Sequence, residues 1–203
     1  PPPLSIRPFP PALRCASPLM LPRAFLMARP RFHIEGHVLY ITTVFYHRLP
    51  IFVRPSFVIP LFDSLNFYRY KQEFKILGFV FMPDHIHLLI WPFGKATAAE
   101  IMRDYKEFTS KRIIRQAEVE GITEWVTAFQ QAGQETGRST NKVWQDSYWD
   151  VDVYSEHFLR QKLNYIHHNP LRAQLVEDPA AYPYSSCRNY VNGDESLIEI
   201  NKD

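Results

Sequence analysis

Cysteine is nearly absent from this 203-residue sequence: Cys15 and Cys187 are the whole complement, and no CxxC spacing exists. That excludes a disulfide framework and a thiolate-built zinc site, and it suits a reducing compartment. Glycine is scarce at seven residues, and no apolar run approaches the roughly 20 residues that span a bilayer. Charge of either sign is not in excess. With 23 Lys and Arg against 21 Asp and Glu the net charge is +2, which neither demands nor excludes a nucleic-acid partner. What the chain does have is aromatic residues, 15% of the total within a 46% hydrophobic composition, enough to fill one core. A single soluble, cytoplasmic domain with appendages is expected, with no membrane partner.

Proline is unevenly placed. Nine of the seventeen lie in the first thirty residues, at 1, 2, 3, 8, 10, 11, 18, 22 and 30, a density that resists helix and sheet alike. The patch Leu19-Met20-Leu21 is too short for a secretory core and is broken on both sides by Pro18 and Pro22. Residues 1–30 are therefore expected to be a disordered segment outside the fold, with Met27 as an alternative start.

Beyond it, residues 38–46 are rich in β-branched and aromatic side chains and read as a strand. Residues 56–70 carry Phe57, Leu61, Leu65 and Tyr68 at helical spacing. Strands follow over 74–82 and 85–91, joined by a turn at Pro83-Asp84. Thr97 with Glu100 is a capping box opening a helix to about 116, with Ile101, Tyr105, Phe108 and Ile113 as its inner stripe. Polar residues 131–142 hold two glycines and read as a flexible insertion, and 143–153 as an edge strand. Ser155 caps a helix expected to stop at Asn169, because Pro170 disfavours helical geometry in the residue before it. A last helix is expected from Asp178 through Tyr190. The order β-α-β-β-α-β-α points to an α+β fold: a ferredoxin-like antiparallel sheet with helices on one face, plus a C-terminal helical extension. The expected division is a domain over 31–175 and a tail over 176–203.

Chemistry concentrates in two places. In His85-Ile86-His87 the period of a strand puts both imidazoles on one face, where they can chelate a metal. The plainer reading is a pair capping a surface strand, but Leu88-Leu89-Ile90 makes this strand a buried element, where two histidines are costly without a task. In the helix ending near Pro170 the stripe Leu159, Leu163, Ile166 faces the sheet. Tyr165 and Asn169 then lie one turn apart on an adjoining edge, with Lys162 a turn earlier. A phenol and an amide oxygen there can meet a metal site, or Tyr165 can be a half-buried aromatic and Asn169 a helix cap.

These residues resemble a known family. The run Met82-Pro83-Asp84-His85-Ile86-His87-Leu88-Leu89-Ile90 resembles the histidine-hydrophobe-histidine (HUH) motif of single-tyrosine transposases. Asn164-Tyr165-Ile166-His167-His168-Asn169-Pro170-Leu171-Arg172-Ala173 is similar to the tyrosine helix of their REP-associated tyrosine transposase (RAYT) branch. Trp144-Gln145-Asp146 and Tyr182-Pro183-Tyr184-Ser185-Ser186 also resemble that branch, and together the likeness spans roughly residues 31–190.

The resemblance implies an enzyme, a single-strand DNA endonuclease and strand transferase, that binds hairpin-forming single-stranded DNA and cleaves it by tyrosine attack. Tyr165 would be the nucleophile, His85, His87 and Asn169 the metal ligands, and Mg²⁺ or Mn²⁺ the ion. A homodimer exchanging tyrosine helices is compatible with it, as is a monomer. Phosphate contacts are expected from Arg103, Lys106, Lys111, Arg112 and Arg115 of the 97–116 helix, and Lys162 stands near the nucleophile, although interleaved Glu100, Asp104 and Glu107 also suit an ordinary solvated face. Phe45, Tyr46 and Trp149 are candidate base-stacking surfaces, with core packing as the plainer reading. Tyr105 is a weaker rival nucleophile because it lies on an inner stripe. Two other readings are a non-catalytic nucleic-acid-binding module and a tyrosine nuclease that initiates replication or plasmid transfer.

Overall fold

The computed structural model describes residues 36–137 and 139–202, so the proline-rich segment 1–30 lies outside the described residues. The elements are β1 (Val38–Val44), α1 (Pro55–Lys71), β2 (Phe74–Met82), β3 (His85–Pro92), α2 (Ala98–Val119), α3 (Thr123–Thr136), β4 (Trp149–Val153), α4 (Glu156–Arg172) and α5 (Cys187–Asn192). The strands form one sheet in the order β2-β3-β1-β4, every pair antiparallel. That order is the ferredoxin-like plan expected from the element sequence. No helix among the described residues is long and apolar enough to cross a membrane.

Alternation along the strands divides the work between the two faces of the sheet. Leu88 and Ile90 point to the face covered by α1 and α2, where they meet Leu65, Tyr68, Ile101, Met102 and Tyr105. Phe62 of α1 lies against Phe81 at 4.2 Å and Phe79 at 5.2 Å between ring centres. Burying each such side chain stabilises the fold by about 1.5–3 kcal/mol. The opposite face receives α4, so the helices lie on both faces of the sheet and not on one as expected. There Gly78 permits a close approach: a Cβ on it would stand 2.6 Å from Leu163 Cδ1.

Five details of the expected elements are corrected. The α2 helix begins on the expected capping box, Thr97 Oγ1 accepting from Glu100 N while Glu100 bonds back to Thr97 N. Its inner stripe, however, is Ile101, Met102, Tyr105, Thr109 and Ile113, and Phe108 is exposed. Half of the supposed flexible insertion is helical: α3 runs through residue 136, and the two glycines have structural roles. Gly133 lies where a Cβ would meet the backbone of Ser139 and Thr140 at 2.6 Å, and Gly137, at φ 62°, ends the helix in the left-handed region. The strand expected over 143–153 is confined to Trp149–Val153, with Trp144 only bridging Phe45.

The α4 helix does not stop at Asn169. Ser155 caps it as expected, accepting from Phe158 N, but the helix continues through a buried Pro170 to Arg172. Proline removes one rung of the backbone ladder. The turn nevertheless closes, because Ala173 N bonds Asn169 O and Leu175 N bonds Pro170 O, each at 3.0 Å. Nor is there one helix from 178 to 190. A short turn at Pro179–Ala181 leads to an extended stretch that runs along the edge of β2, with Phe81 N bonding Tyr184 O and Ser186 N bonding Phe79 O, and only then α5. Edge pairing satisfies backbone groups of β2 that would otherwise be bare.

Candidate active site

Register fixes the histidines. Residues directly opposite in an antiparallel pair share a face. His87 lies between Val80 and Thr42, and His85 between Met82 and Val44, so both imidazoles stand on the α4 side of the sheet. Their rings are 4.8 Å apart, edge to face.

Each ring is held by a partner at Nδ1. Asp84 Oδ1 is 2.5 Å from His85 Nδ1, and the other oxygen of Asp84 accepts from Arg48 at 2.8 Å. Burial alone would raise the Asp84 carboxyl. Its hydrogen bond and charge attraction to His85, helped by Arg48, outweigh that and hold it below the usual carboxylate range. The Nδ1 of His87 is 2.7 Å from Thr42 Oγ1 and 2.8 Å from Tyr40 Oη, and the Tyr40 ring stacks on the imidazole. In the tautomer that donates Nδ1–H to these oxygens, the lone pair of each ring is on Nε2.

The Nε2 of His87 is buried and has no hydrogen-bond partner among the described residues. Burial, then the charge of His85, push this imidazole well below its ordinary protonation range, so it is a neutral donor. Buried polar atoms are nearly always satisfied, and an orphaned lone pair whose ring is oriented from the other nitrogen is the arrangement of a metal-ligating histidine. The residues present therefore fit a divalent cation. Among the described residues no group of three His, Cys, Asp or Glu side chains is placed to hold a metal ion.

The tyrosine helix reaches this point. The Tyr165 ring stands 5.5 Å from His87 and 6.3 Å from Tyr40, edge to face in both cases, and is 42% exposed. Lys162 lies over the Tyr40 ring at 4.6 Å, where burial lowers its pKa. Asn169 is half-buried one turn beyond Tyr165. Arg172 places its guanidinium 4.8 Å above the Tyr165 ring and donates to the Tyr165 carbonyl at 3.3 Å.

The other expected DNA contacts are placed elsewhere. The α2 helix packs on the far face, and its cations have local partners: Arg103 with Asp104, Lys111 with Glu107, Arg112 over Phe108, and Lys106 donating to Gln145 O and Ser147 O. Arg103 and Lys106 line an open groove of about 360 Å³ beside residues 141–146. Arg115 lies on the same helix, a turn beyond Lys111. The rival Tyr105 is 1% exposed within the α1–α2 layer. Phe45 is core, stacked on Trp144 at 4.1 Å, and Tyr46 donates to Glu135, whereas Trp149 is 46% exposed opposite Thr42 on the histidine face. His167 turns to Ser186 Oγ, and His168 to Asn164 O.

Sequence reasoning missed Tyr40, Thr42 and Arg172, and it took Asp84 for a turn residue only. Tyr40 and Thr42 carry a signal in retrospect, two polar groups at period 2 in an apolar strand. Their meeting with His87 across 45 residues of chain is a matter of register that spacing cannot supply.

Residues 37–169 match the family of IS200-like transposases. Among solved structures the chain is similar to the REP-associated tyrosine transposase bound to a REP hairpin, with a TM-score of 0.58 and 18% identity over 85% of this chain and 97% of that one. It is also similar to a candidate transposase from Deinococcus radiodurans R1, with a TM-score of 0.42 and 19% identity over 70% of this chain and 97% of that one. No curated protein matches it.

Proposed function

The chain belongs to the IS200-like transposase family, and from that premise we propose that it cleaves and rejoins single-stranded, hairpin-forming DNA through a phosphotyrosine intermediate at Tyr165. The observation that carries the reading is the Tyr165 ring 5.5 Å from an oriented, buried histidine whose Nε2 has no partner among the described residues. The Tyr165 oxygen attacks phosphorus and loses its proton, the bond from phosphorus to the 3′-oxygen breaks, and that oxygen leaves as a hydroxyl. Strand transfer is the reverse attack, by a 3′-hydroxyl on the phosphotyrosine, so the bond is conserved and no ATP is needed. Lys162 and Arg172, both α4 cations on the tyrosine side, offset the charge of the phenolate and the phosphate. His85 and His87 through Nε2, with the Asn169 amide oxygen as third ligand, would hold Mg²⁺ or Mn²⁺. Held there, such an ion would supply Lewis-acid polarisation of the phosphate oxygens and charge stabilisation for the leaving 3′-oxygen.

The solved relative holds a REP hairpin, and a hairpin is the DNA we assign to this chain. The α2 cations Arg103, Lys106, Lys111, Arg112 and Arg115, on the other layer, are assigned to backbone contacts with its stem. The test is incubation of a labelled hairpin oligonucleotide with wild type and Tyr165→Phe, with Mn²⁺ or with chelator, followed by denaturing electrophoresis. A covalent adduct that needs both Mn²⁺ and Tyr165 is expected. Tight binding with no adduct in wild type would make the protein a binding module instead, and nicking only at an origin-type site would make it an initiator nuclease.

A further inference from the structure

Beyond the reacting groups, one stripe along α4 sets rings beside cations, joined at its middle through the buried Tyr40. Tyr154, 74% exposed, stacks on Phe158 at 5.1 Å with 26° between the planes. Lys162 lies 5.0 Å from the Phe158 ring and 4.6 Å from that of Tyr40, Tyr40 meets Tyr165 edge-on, and Arg172 covers Tyr165. On α4 the positions 158, 162, 165 and 172 follow one helix face, and at 1.5 Å per residue they span about 21 Å. The neighbouring edge strand has matching polarity. Its Trp149, Val151 and Val153 share the histidine face, opposite Thr42, Tyr40 and Val38, while Asp150 and Asp152 pair with Ile41 and Leu39 and point to the other. Both β4 carboxylates are thus turned away from the stripe, and Trp149 adds an exposed ring to it.

A folded surface that sets the exposed rings of Tyr154, Trp149 and Tyr165 beside lysine and arginine, and turns the β4 acids away, suits a polyanion that carries flat faces. We propose that this stripe is the track for the unpaired DNA strand flanking the hairpin. Tyr154 and Phe158 form a platform for one base, Lys162 takes the next phosphate, and Arg172 takes the phosphate beyond the reacting one. Stacking selects single strands because a paired base has no free face, and it tolerates any sequence because every base has one. The proposal rests on the catalytic reading of Tyr165 for its direction, since the track leads to that phenol.

The experiment measures binding rather than cleavage, in chelator, by fluorescence anisotropy. One probe is a hairpin oligonucleotide with ten unpaired nucleotides on each side, the other the same hairpin with blunt ends. Tyr154→Ala tests the exposed ring without disturbing the fold. Phe158→Leu keeps an apolar side chain where Phe158 is partly buried, while removing the aromatic face. In the double variant the flanked probe is expected to bind about tenfold or more weakly and the blunt hairpin to change less than about twofold, with abasic flanks erasing the difference. An equal loss on both probes, or no loss on the flanked one, overturns the track. Should wild type form no Tyr165 adduct while the flanked probe still loses affinity, the catalytic reading falls and the track stands. An intact adduct with unchanged flank binding gives the opposite result.

Discussion

The two faces of the sheet are made from alternate residues of the same four strands, yet they obey different rules. Toward α1 and α2 the side chains are almost all hydrocarbon: Phe79, Phe81, Ile86, Leu88 and Ile90 are at most 1% exposed. Toward α4 the same strands present His85, His87, Tyr40 and Thr42, a buried network with one nitrogen left over. An apolar face is stable by itself and can be covered tightly. A polar face this close to the core is costly unless its groups are satisfied or employed. The side chains toward α1 and α2 are thus mainly hydrocarbon and the polar groups gather toward α4, and the strand period of two keeps them apart.

That division can be broken from either side. The largest effect is expected from Tyr165→Phe, which should reduce adduct formation more than about a thousandfold while altering stability by less than about 0.5 kcal/mol, as read by gel and by urea melt. Tyr105→Phe, on the other face, should leave the adduct in place. Phe62→Ala should do the reverse of Tyr165→Phe, costing about 3–5 kcal/mol of stability and leaving the folded fraction's adduct rate unchanged.

Acid should weaken the α4 side in particular. Burial, with the charge of His168 beside it, pulls the His167 imidazole down to about 4. The unfolded chain takes up the same proton near an ordinary value of about 6.5. Across that interval the unfolded state binds more protons, so stability falls as pH falls, by roughly 3 kcal/mol at the lower end. His87, also lowered by burial, acts in the same direction. Urea melts between neutral pH and about 4 measure the slope, and His167→Gln should flatten it. Asp84→Asn is expected to have the smallest effect: the His85 ring loses its orienting carboxylate, and Mn²⁺ affinity measured by calorimetry should drop about 10–100-fold.

Much of this was legible in the chain because it depends on local period. Alternation in His85-Ile86-His87 assigns both imidazoles to one face, and the stripe Leu159, Leu163, Ile166 turns α4 so that Tyr165 reaches His87. The capping box at Thr97 and Glu100 marks a helix start in any context. What misled were residues with two uses. Gly133 and Gly137 look like flexibility, yet one allows backbone contact and the other ends a helix. Pro170 looks like a stop, yet at the last turn of this half-buried helix it removes only one rung. Phe108 looks like core by type, but the helix places Met102 and Thr109 inward instead. The orienting partners of His87 were out of reach of sequence pattern, because strand pairing brings Tyr40 and Thr42 to it from far along the chain.

The central claim is that an ion gripped by His85 and His87 lies beside Tyr165. Manganese titrated into the DNA-free protein, observed through paramagnetic broadening of histidine and tyrosine ring protons, tests it without any reaction. Broadening should reach the rings of His85, His87 and Tyr165 first, leaving Tyr105, on the far face, and His157, exposed in the first turn of α4, sharp. If the first rings to broaden belong to other histidines, and those of His85 and His87 stay sharp at saturating metal, the claim is wrong.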